Sequence, residues 1–295
     1  MQTLIGTLIN GLALGMAYAL IAVGYSMVFG VLRLINFSHG AVYAFGAYMV
    51  YFFVSLKFGL LPAILLSVVA SGILALLIDK AALEPLRKKK SMPIATLITT
   101  IGMSFIIQNF LSIEYIFSSE KKPFPSLNLF ESITIGNITI QSSQLIMLVV
   151  AILLLAVLTF IVNYTKIGLA MRATEQNSKA ANLMGINVNF VISFTFFIGG
   201  ASAAIAGSLI GGYYQVISPT MGSLIGLKAF SAAVVGGIGI LYGSVIGGLI
   251  VGVAEVLAAQ YLGSNVRDPM AFVILILILI LKPTGLFGKK GISKV

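Results

Sequence analysis

Long apolar segments set the strongest constraint on the fold of this chain. Nine of them follow one another, at residues 4–31, 38–56, 60–79, 94–112, 144–163, 190–212, 226–241, 243–262 and 269–281. A membrane-spanning helix needs about 20 apolar residues, and lipid admits only segments whose backbone groups are hydrogen-bonded internally. The pattern therefore predicts an all-α polytopic membrane protein with eight to ten transmembrane or half-membrane helices.

Composition supports a membrane location for most of the chain. Hydrophobic residues make up 59% of it and charged residues only 9%, against about 25% charged residues in an ordinary soluble domain. Segments 38–56, 226–241 and 269–281 are short or interrupted by glycine, so each is compatible with a re-entrant or half-membrane helix. We predict that residues 1–295 form a single transmembrane domain.

The basic residues predict the side of the membrane on which each loop lies. With nine segments, one side carries Arg33, Lys80, Arg87, Lys88, Lys89, Lys90, Lys166, Arg172, Lys179, Lys282, Lys289, Lys290 and Lys294. The other side keeps Lys57, Lys121, Lys122, Lys228 and Arg267. Because cytoplasmic loops are enriched in Lys and Arg, the first side is predicted to be the cytoplasm, with the N-terminus outside and the C-terminus cytoplasmic.

The basic run from Arg87 to Lys90 is interpreted as a topology anchor in contact with anionic lipid. It has no aromatic or motif context of the kind that nucleic-acid-binding proteins show. We therefore expect no nucleic-acid partner, despite the net charge of +10.

Two loops between segments are long. In the outer loop, 113–143, the β-rich triplets Ile133–Ile135 and Ile138–Ile140 flank Gly136-Asn137, a pattern typical of a small hairpin. This loop can cap a pore, dock an extracytoplasmic protein or act as a plain connection.

The inner loop, 164–189, is composed mainly of helix-forming residues. We predict a helix, a break and a second helix at the cytoplasmic surface, with Asn177 as the second N-cap and Gly185 just past the end. The loop is longer than a simple connection requires. Its small residues, together with Arg172 and Glu175, suit contact with a partner.

Catalytic and metal-binding patterns are missing from the sequence. No G-x-x-x-x-G-K-[ST] stretch occurs, so binding of ATP in a Walker fold is not predicted. The chain has no cysteine and a single histidine. We expect no catalytic residue, no metal site and no cofactor bound by this chain.

Two polar positions stand out within or beside the apolar segments. Glu255 lies inside a clear span, and a carboxyl at membrane depth is often functional. It is interpreted either as a proton or ion relay or as a group hydrogen-bonded between helices or exposed to a water-filled path. His39 lies in the run 36–40, where Asn36 and Ser38 suit a helix entry and Gly40 permits close approach.

Glycines spaced by four residues recur in the later segments. Gly239, Gly243 and Gly247 are expected on one helix face, where small residues allow helix backbones to approach closely. The alternatives are tight packing within the subunit and the lining of a translocation path.

Four blocks of residues give the chain a family resemblance over nearly its whole length. The blocks are Asn36-Phe37-Ser38-His39-Gly40 with Gly46-Ala47-Tyr48, Gly168-Leu169-Ala170-Met171-Arg172-Ala173 with Leu183-Met184-Gly185-Ile186-Asn187, Val235-Gly236-Gly237-Ile238-Gly239 with Gly243 to Gly248, and Arg267-Asp268-Pro269-Met270 through Lys282-Pro283-Thr284-Gly285. The chain resembles permease subunits of branched-chain amino acid ABC importers, a group that also includes ribose-type and urea or amide permeases. Ala41 and Tyr242 depart from the acidic residue and the proline that often occupy these positions in the family.

The resemblance implies a non-catalytic subunit of a bacterial cytoplasmic (inner) membrane importer. Its implied partners are a second permease, as homologous heterodimer or homodimer, two cytoplasmic ABC ATPases that carry ATP and magnesium, and an extracytoplasmic substrate-binding protein. Residues expected to couple to the ATPase are Gly168, Arg172, Ala173, Ala181, Gly185 and Ile186. Residues expected in the translocation path or in helix packing are Asn36, His39, Gly40, Gly239, Gly243, Gly247 and Glu255.

The expected cargo is a branched-chain or other hydrophobic amino acid, moved inward. Urea, short amides or a simple sugar are alternative cargoes for the same kind of permease. An ion-coupled secondary transporter with Glu255 as relay, or a passive channel, are alternatives of another class.

Overall fold

The computed structural model describes residues 2–115, 117–127, 130–135 and 138–288. Its helices are α1 Gln2–Leu32, α2 Ser38–Ser55, α3 Leu60–Ile78, α4 Glu84–Lys88, α5 Pro93–Leu111, α6 Ser142–Tyr164, α7 Lys166–Leu183, α8 Val188–Tyr214, α9 Met221–Gly236, α10 Leu241–Tyr261 and α11 Arg267–Leu281. A π-helical turn, Asp79–Leu83, joins α3 to α4. The strands are β1 Lys122–Pro123, β2 Ile133–Ile135, β3 Ile138–Ile140 and β4 Val216–Ile217.

Each of the nine apolar segments corresponds to one helix. Within the described residues, seven helical segments are long and apolar enough to cross a membrane, while α9 is a shorter apolar helix. The predicted all-α polytopic membrane class is confirmed. The placement of the two termini stays a prediction, and Lys289, Lys290 and Lys294 lie outside the described residues.

Helix α1 forms the centre of the packed core. Its spanning window is 89% buried, against 22% for α5 and 6% for the segment that carries α11. Glycines let α10 lie directly against it: a Cβ at Gly248 would come within 2.6 Å of the Ala19 Cα atom. The outer helices leave Leu and Ile side chains exposed, because lipid solvates these side chains as well as a protein core does.

The expectation that Gly239 shares a helix face with Gly243 and Gly247 was wrong. Residues 237–240 break the helix between α9 and α10, and Gly237 and Gly239 have φ values of 105° and 92°. These values are accessible to glycine but strained for other residues. Gly243 and Gly247 do lie on α10, where they pack against the last turns of α9.

The outer loop contains more pairing than the sequence pattern indicated. β2 and β3 pair antiparallel, with Ile133 opposite Ile140, as expected for the hairpin, whose turn residues 136 and 137 lie outside the described residues. In addition, β1 pairs with β4, with Lys122 opposite Ile217. This second pair, which was not predicted, attaches the loop to the end of α8.

The inner loop forms α7, which is kinked at Asn177 as the sequence suggested. The Asn177 Oδ1 atom accepts bonds from the backbone N–H groups of Lys179 and Ala180, each at 3.1 Å. Gly185 follows the helix with φ of 87°, and the Ile186 N–H donates to the Ala181 carbonyl at 3.0 Å. This is the Schellman arrangement, which satisfies the last carbonyls of a helix.

Candidate functional site

A cavity of about 240 Å³ lies between helices α1, α5 and α9. Its wall is largely apolar and aromatic, with Tyr25, Phe37 and Phe105 among the lining residues. The polar side chains that line it include Ser104 and Gln108 of α5. A mostly apolar wall with a few polar groups is typical of small-molecule sites.

The polar groups of α5 in this cavity are not used to hold the fold together. Neither the Ser104 hydroxyl nor the Gln108 side-chain amide has a hydrogen-bond partner among the residues that the structure describes. An amide without a hydrogen-bond partner in hydrocarbon costs several kcal/mol, and a penalty of this size also excludes irregular backbone from lipid. These two groups therefore face water, a ligand or another subunit.

Phe37, in the run 36–40 that leads into α2, lines the same cavity. The Asn36 Oδ1 atom accepts bonds from the backbone N–H and the hydroxyl of Ser38, at 3.1 and 2.5 Å. The Phe37 N–H donates to the Thr100 hydroxyl at 3.2 Å. Thr100 lies seven residues into α5, which corresponds to about 10 Å along the helix axis. Helix α2 therefore begins about two turns along α5 rather than level with its first residue.

His39 and Gly40 pack against different helices at this entry. The His39 ring is 2% exposed and meets the Tyr25 ring edge to face, with 4.8 Å between centroids. A Cβ at Gly40 would lie 2.9 Å from the Gly226 Cα atom, so α2 and α9 are in backbone contact. Within the described ranges no three His, Cys, Asp or Glu side chains come together as a metal site would require.

Glu255 is fully buried in an ion-pair cluster that joins α1, α9, α10 and α11. Its Oε1 atom accepts from the Lys228 ammonium and from the Arg267 Nε atom, both at 2.9 Å. Its Oε2 atom accepts from the Tyr18 hydroxyl at 3.0 Å. Lys228 also contacts Asp268 at 2.6 Å. The cluster holds two cations and two anions, so it is formally neutral.

These contacts favour the interpretation of Glu255 as a group bonded between helices. Both of its oxygens are occupied by donors from the chain itself, which leaves no evident place for a transported proton or ion. The sequence analysis places Lys228 on the outer side and predicts no contact for it. In the structure its side chain is buried within α9, with 3% of the residue exposed. A lysine inside an apolar helix needs a carboxylate partner, and that signal was present in the sequence.

A second buried carboxylate was missed by the sequence analysis, which placed only Glu255 inside a span. Asp79 is completely buried in the π-helical turn after α3. It pairs with Arg87 at 2.5 Å and accepts a bond from the Ser193 hydroxyl at 2.9 Å. This pair ties α4 to α8 near the predicted cytoplasmic side.

A larger cavity, of about 730 Å³, lies on the predicted cytoplasmic side beneath α1, α7 and the α9–α10 connection. Arg33, Arg172, Glu175 and Gly239 are among its lining residues. The Arg172 guanidinium donates to the Val162 carbonyl. Burial raises the pKa of the Glu175 carboxyl, while the nearby Arg33 acts in the opposite direction. Arg172 and Glu175 thus face a cavity of this chain itself.

The six residues expected to couple to an ATPase differ in their exposure to solvent. Gly168 and Ala181 are buried, Arg172, Ala173 and Ile186 are partly exposed, and Gly185 is exposed. The most prominent side chains of this segment are Leu183 and Met184, at 87% and 84% exposure. Large apolar groups held out at a helix end are typical of a contact surface, and the sequence analysis did not single them out.

Comparison with known proteins gives a consistent result. The sequence profile of the family described as "Branched-chain amino acid transport system / permease component" matches residues 7–281. The permease protein LivH of Salmonella typhimurium, named for a high-affinity branched-chain amino acid transport system, is 40% identical over 97% of this chain and 96% of its own length.

Two further relatives mark the breadth of the group. BraD of Pseudomonas aeruginosa, named for the same kind of transport system, is 39% identical over 98% of this chain and 97% of its own length. The ribose import permease RbsC of Haemophilus influenzae is 30% identical over 79% of this chain and 71% of its own length. Similarity to the amino acid permeases is thus higher and more extensive than similarity to this sugar permease.

Proposed function

The chain belongs to the family of branched-chain amino acid transport system permease components, and from this premise we propose that it is the membrane-spanning subunit of an ATP-driven importer of branched-chain or other hydrophobic amino acids. The observation that carries the proposal is 40% identity to LivH across nearly the full length of both chains. The protein is a multi-pass membrane protein, and we place it in the bacterial cytoplasmic membrane.

The substrate path is proposed to run along the cavity between α1, α5 and α9. Its aromatic and aliphatic wall suits an apolar side chain, and the free Ser104 and Gln108 groups can accept and donate hydrogen bonds to a zwitterionic backbone. Helix α5 is only 22% buried. A second permease packed against it would close the path, which supports a dimeric arrangement of permeases.

Energy is proposed to come from separate ATPase subunits. The sequence lacks a phosphate-binding P-loop, so ATP and magnesium would be held by those partners. Helix α7 and the turn after it form the proposed contact, with Leu183 and Met184 as the exposed apolar anchors. An extracytoplasmic binding protein is proposed to deliver substrate at the outer loop, which the β1–β4 pair fixes to α8.

Transport assays on the assembled system test the cargo. The protein, reconstituted in vesicles with its permease, ATPase and binding-protein partners, is expected to take up labelled leucine only when ATP is present. Ribose and urea are the competing cargoes, and the relative RbsC makes the sugar the more serious of the two. Preferential uptake of ribose would overturn the amino acid assignment, and uptake driven by an ion gradient without ATP would overturn the importer class.

The coupling surface has its own test. The variant Met184→Asp should reduce leucine-stimulated ATP hydrolysis several-fold, because an apolar anchor at the ATPase contact is replaced by a charge. Leu262→Asp is a matched control, since Leu262 is 65% exposed beyond the end of α10 on the predicted outer side. Equal activity of the Met184→Asp variant and the wild type would remove the anchor role.

A further inference from the structure

A separate cavity of about 560 Å³ lies where α4, α7 and α8 meet on the predicted cytoplasmic side. The last residue of α1, Leu32, and the first residue of α8, Val188, both line it. The cavity therefore sits at the level where spanning helices end and lipid headgroups begin. It is distinct from the cavity lined by Arg33 and Gly239.

The cavity carries a surplus of positive charge. Arg87, Lys88 and Lys90 line it, and Glu84 is the one carboxylate among the described lining residues. Glu84 is already paired with Lys80 at 2.8 Å as well as with Lys88 at 2.9 Å. Lys90 has no carboxylate partner within the residues that the structure describes. An anion in the cavity would therefore find a cation that the fold leaves unpaired.

Neutral donors complete the polar half of the cavity. The hydroxyls of Ser91 and Ser178 line it, and neither is engaged in a hydrogen bond within the described part of the chain. The buried Nη2 atom of Arg87 is also unpartnered. Basic side chains combined with hydroxyl donors are the groups that bind phosphate oxygens.

The other half of the cavity is apolar. Leu34, Val188 and Ile192 line it. Outside the cavity lining, Met92 and Ile94 at the start of α5 are 75% and 63% exposed beside the basic run. A free phosphate ion has no apolar group to pack against this wall, whereas the glycerol and the first acyl carbons of a phospholipid can pack against it. The cavity thus matches an amphiphile with a phosphate head.

We propose that this cavity is a specific binding site for the phosphate headgroup of an anionic membrane lipid. The headgroup lies between Ser178 on α7 and two lysines, Lys88 at the end of α4 and Lys90 just after it, so it bridges the two helices beside the kink at Asn177. The lipid thereby supports the part of α7 that leads to Leu183 and Met184.

Lipid binding by the full-length purified chain tests the site. Phosphatidylglycerol and phosphatidylcholine are titrated separately, and bound lipids are counted by native mass spectrometry. Since each lysine near a membrane surface contributes about fivefold in affinity for anionic lipid, the Lys88→Gln/Lys90→Gln variant should bind phosphatidylglycerol about 25-fold more weakly. Phosphatidylcholine binding should not change.

A matched control separates a site from general surface charge. Lys89 lies between the two lysines but does not line the cavity, so Lys89→Gln should weaken phosphatidylglycerol binding by less than the roughly fivefold expected for each cavity lysine. A second variant, Ser178→Ala, removes a donor without changing the charge and should weaken binding a few-fold. Unfolding temperatures of all variants show whether they are folded.

Four results of the lipid titrations would overturn the proposal. They are equal affinity of the wild type for the two lipids, weakening by Lys89→Gln that is as large per lysine as that of the double substitution, unchanged binding in the folded double variant, and displacement of the lipid by inorganic phosphate, which would identify a free-phosphate site instead. Loss of the ATPase subunit from the double variant, with lipid binding intact, would also overturn it by identifying a docking surface for that subunit.

Discussion

Helices α10 and α5 are both apolar spans, but they use their polar and small residues in opposite ways. In α10, Glu255 has a partner for each oxygen, and Gly248 lies against the backbone of α1. In α5, Ser104 and Gln108 have no partner within the described structure, and a Cβ at Gly102 would meet no atom within 4 Å. Similar residues therefore stabilise the fold in one helix and remain available for function in the other.

The largest effect on stability is expected at Glu255. Replacing it by alanine leaves Lys228 with Asp268 as its remaining carboxylate and takes the Glu255 carboxylate away from Arg267, which costs up to about 3–5 kcal/mol, the range for a buried pair broken on one side. The unfolding temperature of the purified protein measures this loss. Gln108→Ala on α5 is the matched substitution, and it should change the free energy of unfolding by less than about 0.5 kcal/mol.

The same site also tests the relay hypothesis. Glu255→Gln keeps hydrogen-bonding atoms in place but removes the charge, so it should destabilise less than Glu255→Ala. A Glu255→Gln protein that is as stable as the wild type yet inactive in uptake would revive a relay role. It would also contradict the division between a structural α10 and a functional α5.

A smaller effect is expected from paired glycine substitutions. Gly248→Ala places a methyl group 2.6 Å from the Ala19 Cα atom, which forces α1 and α10 apart and should cost about 1–3 kcal/mol. Gly102→Ala has open space around it and should be neutral or stabilising by up to about 1 kcal/mol. Equal unfolding temperatures for the two variants would show that α10 is no more tightly packed than α5.

Removal of the free amide of α5 should affect transport rather than stability. Gln108→Leu fills a similar volume and removes polar atoms that the fold does not use, so the unfolding temperature should stay within a few degrees of the wild type. Leucine uptake is expected to fall about tenfold, since a buried polar contact to substrate is worth about 1–3 kcal/mol. Unchanged uptake would place the substrate path elsewhere.

The smallest effect concerns Glu175 on α7. Burial raises its pKa in the folded state, so the folded protein binds a proton more readily than the unfolded chain. Stability should therefore fall as the pH rises from the ordinary glutamate pKa through the raised one. Glu175→Gln should remove this part of the pH dependence and be slightly more stable at neutral pH, as measured by unfolding at several pH values. A pH profile identical to that of the wild type would contradict this assignment.

The fold class and the positions of the helices could be predicted from the amino-acid sequence alone. All nine apolar segments correspond to helices, because the need to satisfy backbone hydrogen bonds in lipid leaves little choice of structure. The kink at Asn177 and the end of α7 at Gly185 were also predictable, since both depend on local side-chain capping and on the φ values that glycine allows.

Which polar residues take part in packing and which remain free depends on how the helices are arranged in three dimensions. Lys228 and Glu255 are 27 residues apart and meet only because α9 and α10 turn back on each other at 237–240. Asp79 accepts a hydrogen bond from Ser193, which is 114 residues away in the sequence, and β1 of the outer loop pairs with β4. Such contacts join segments with the same apolar pattern, and that pattern carries no information about which neighbour each helix will have. The partners of a buried charge are therefore fixed by helix packing alone.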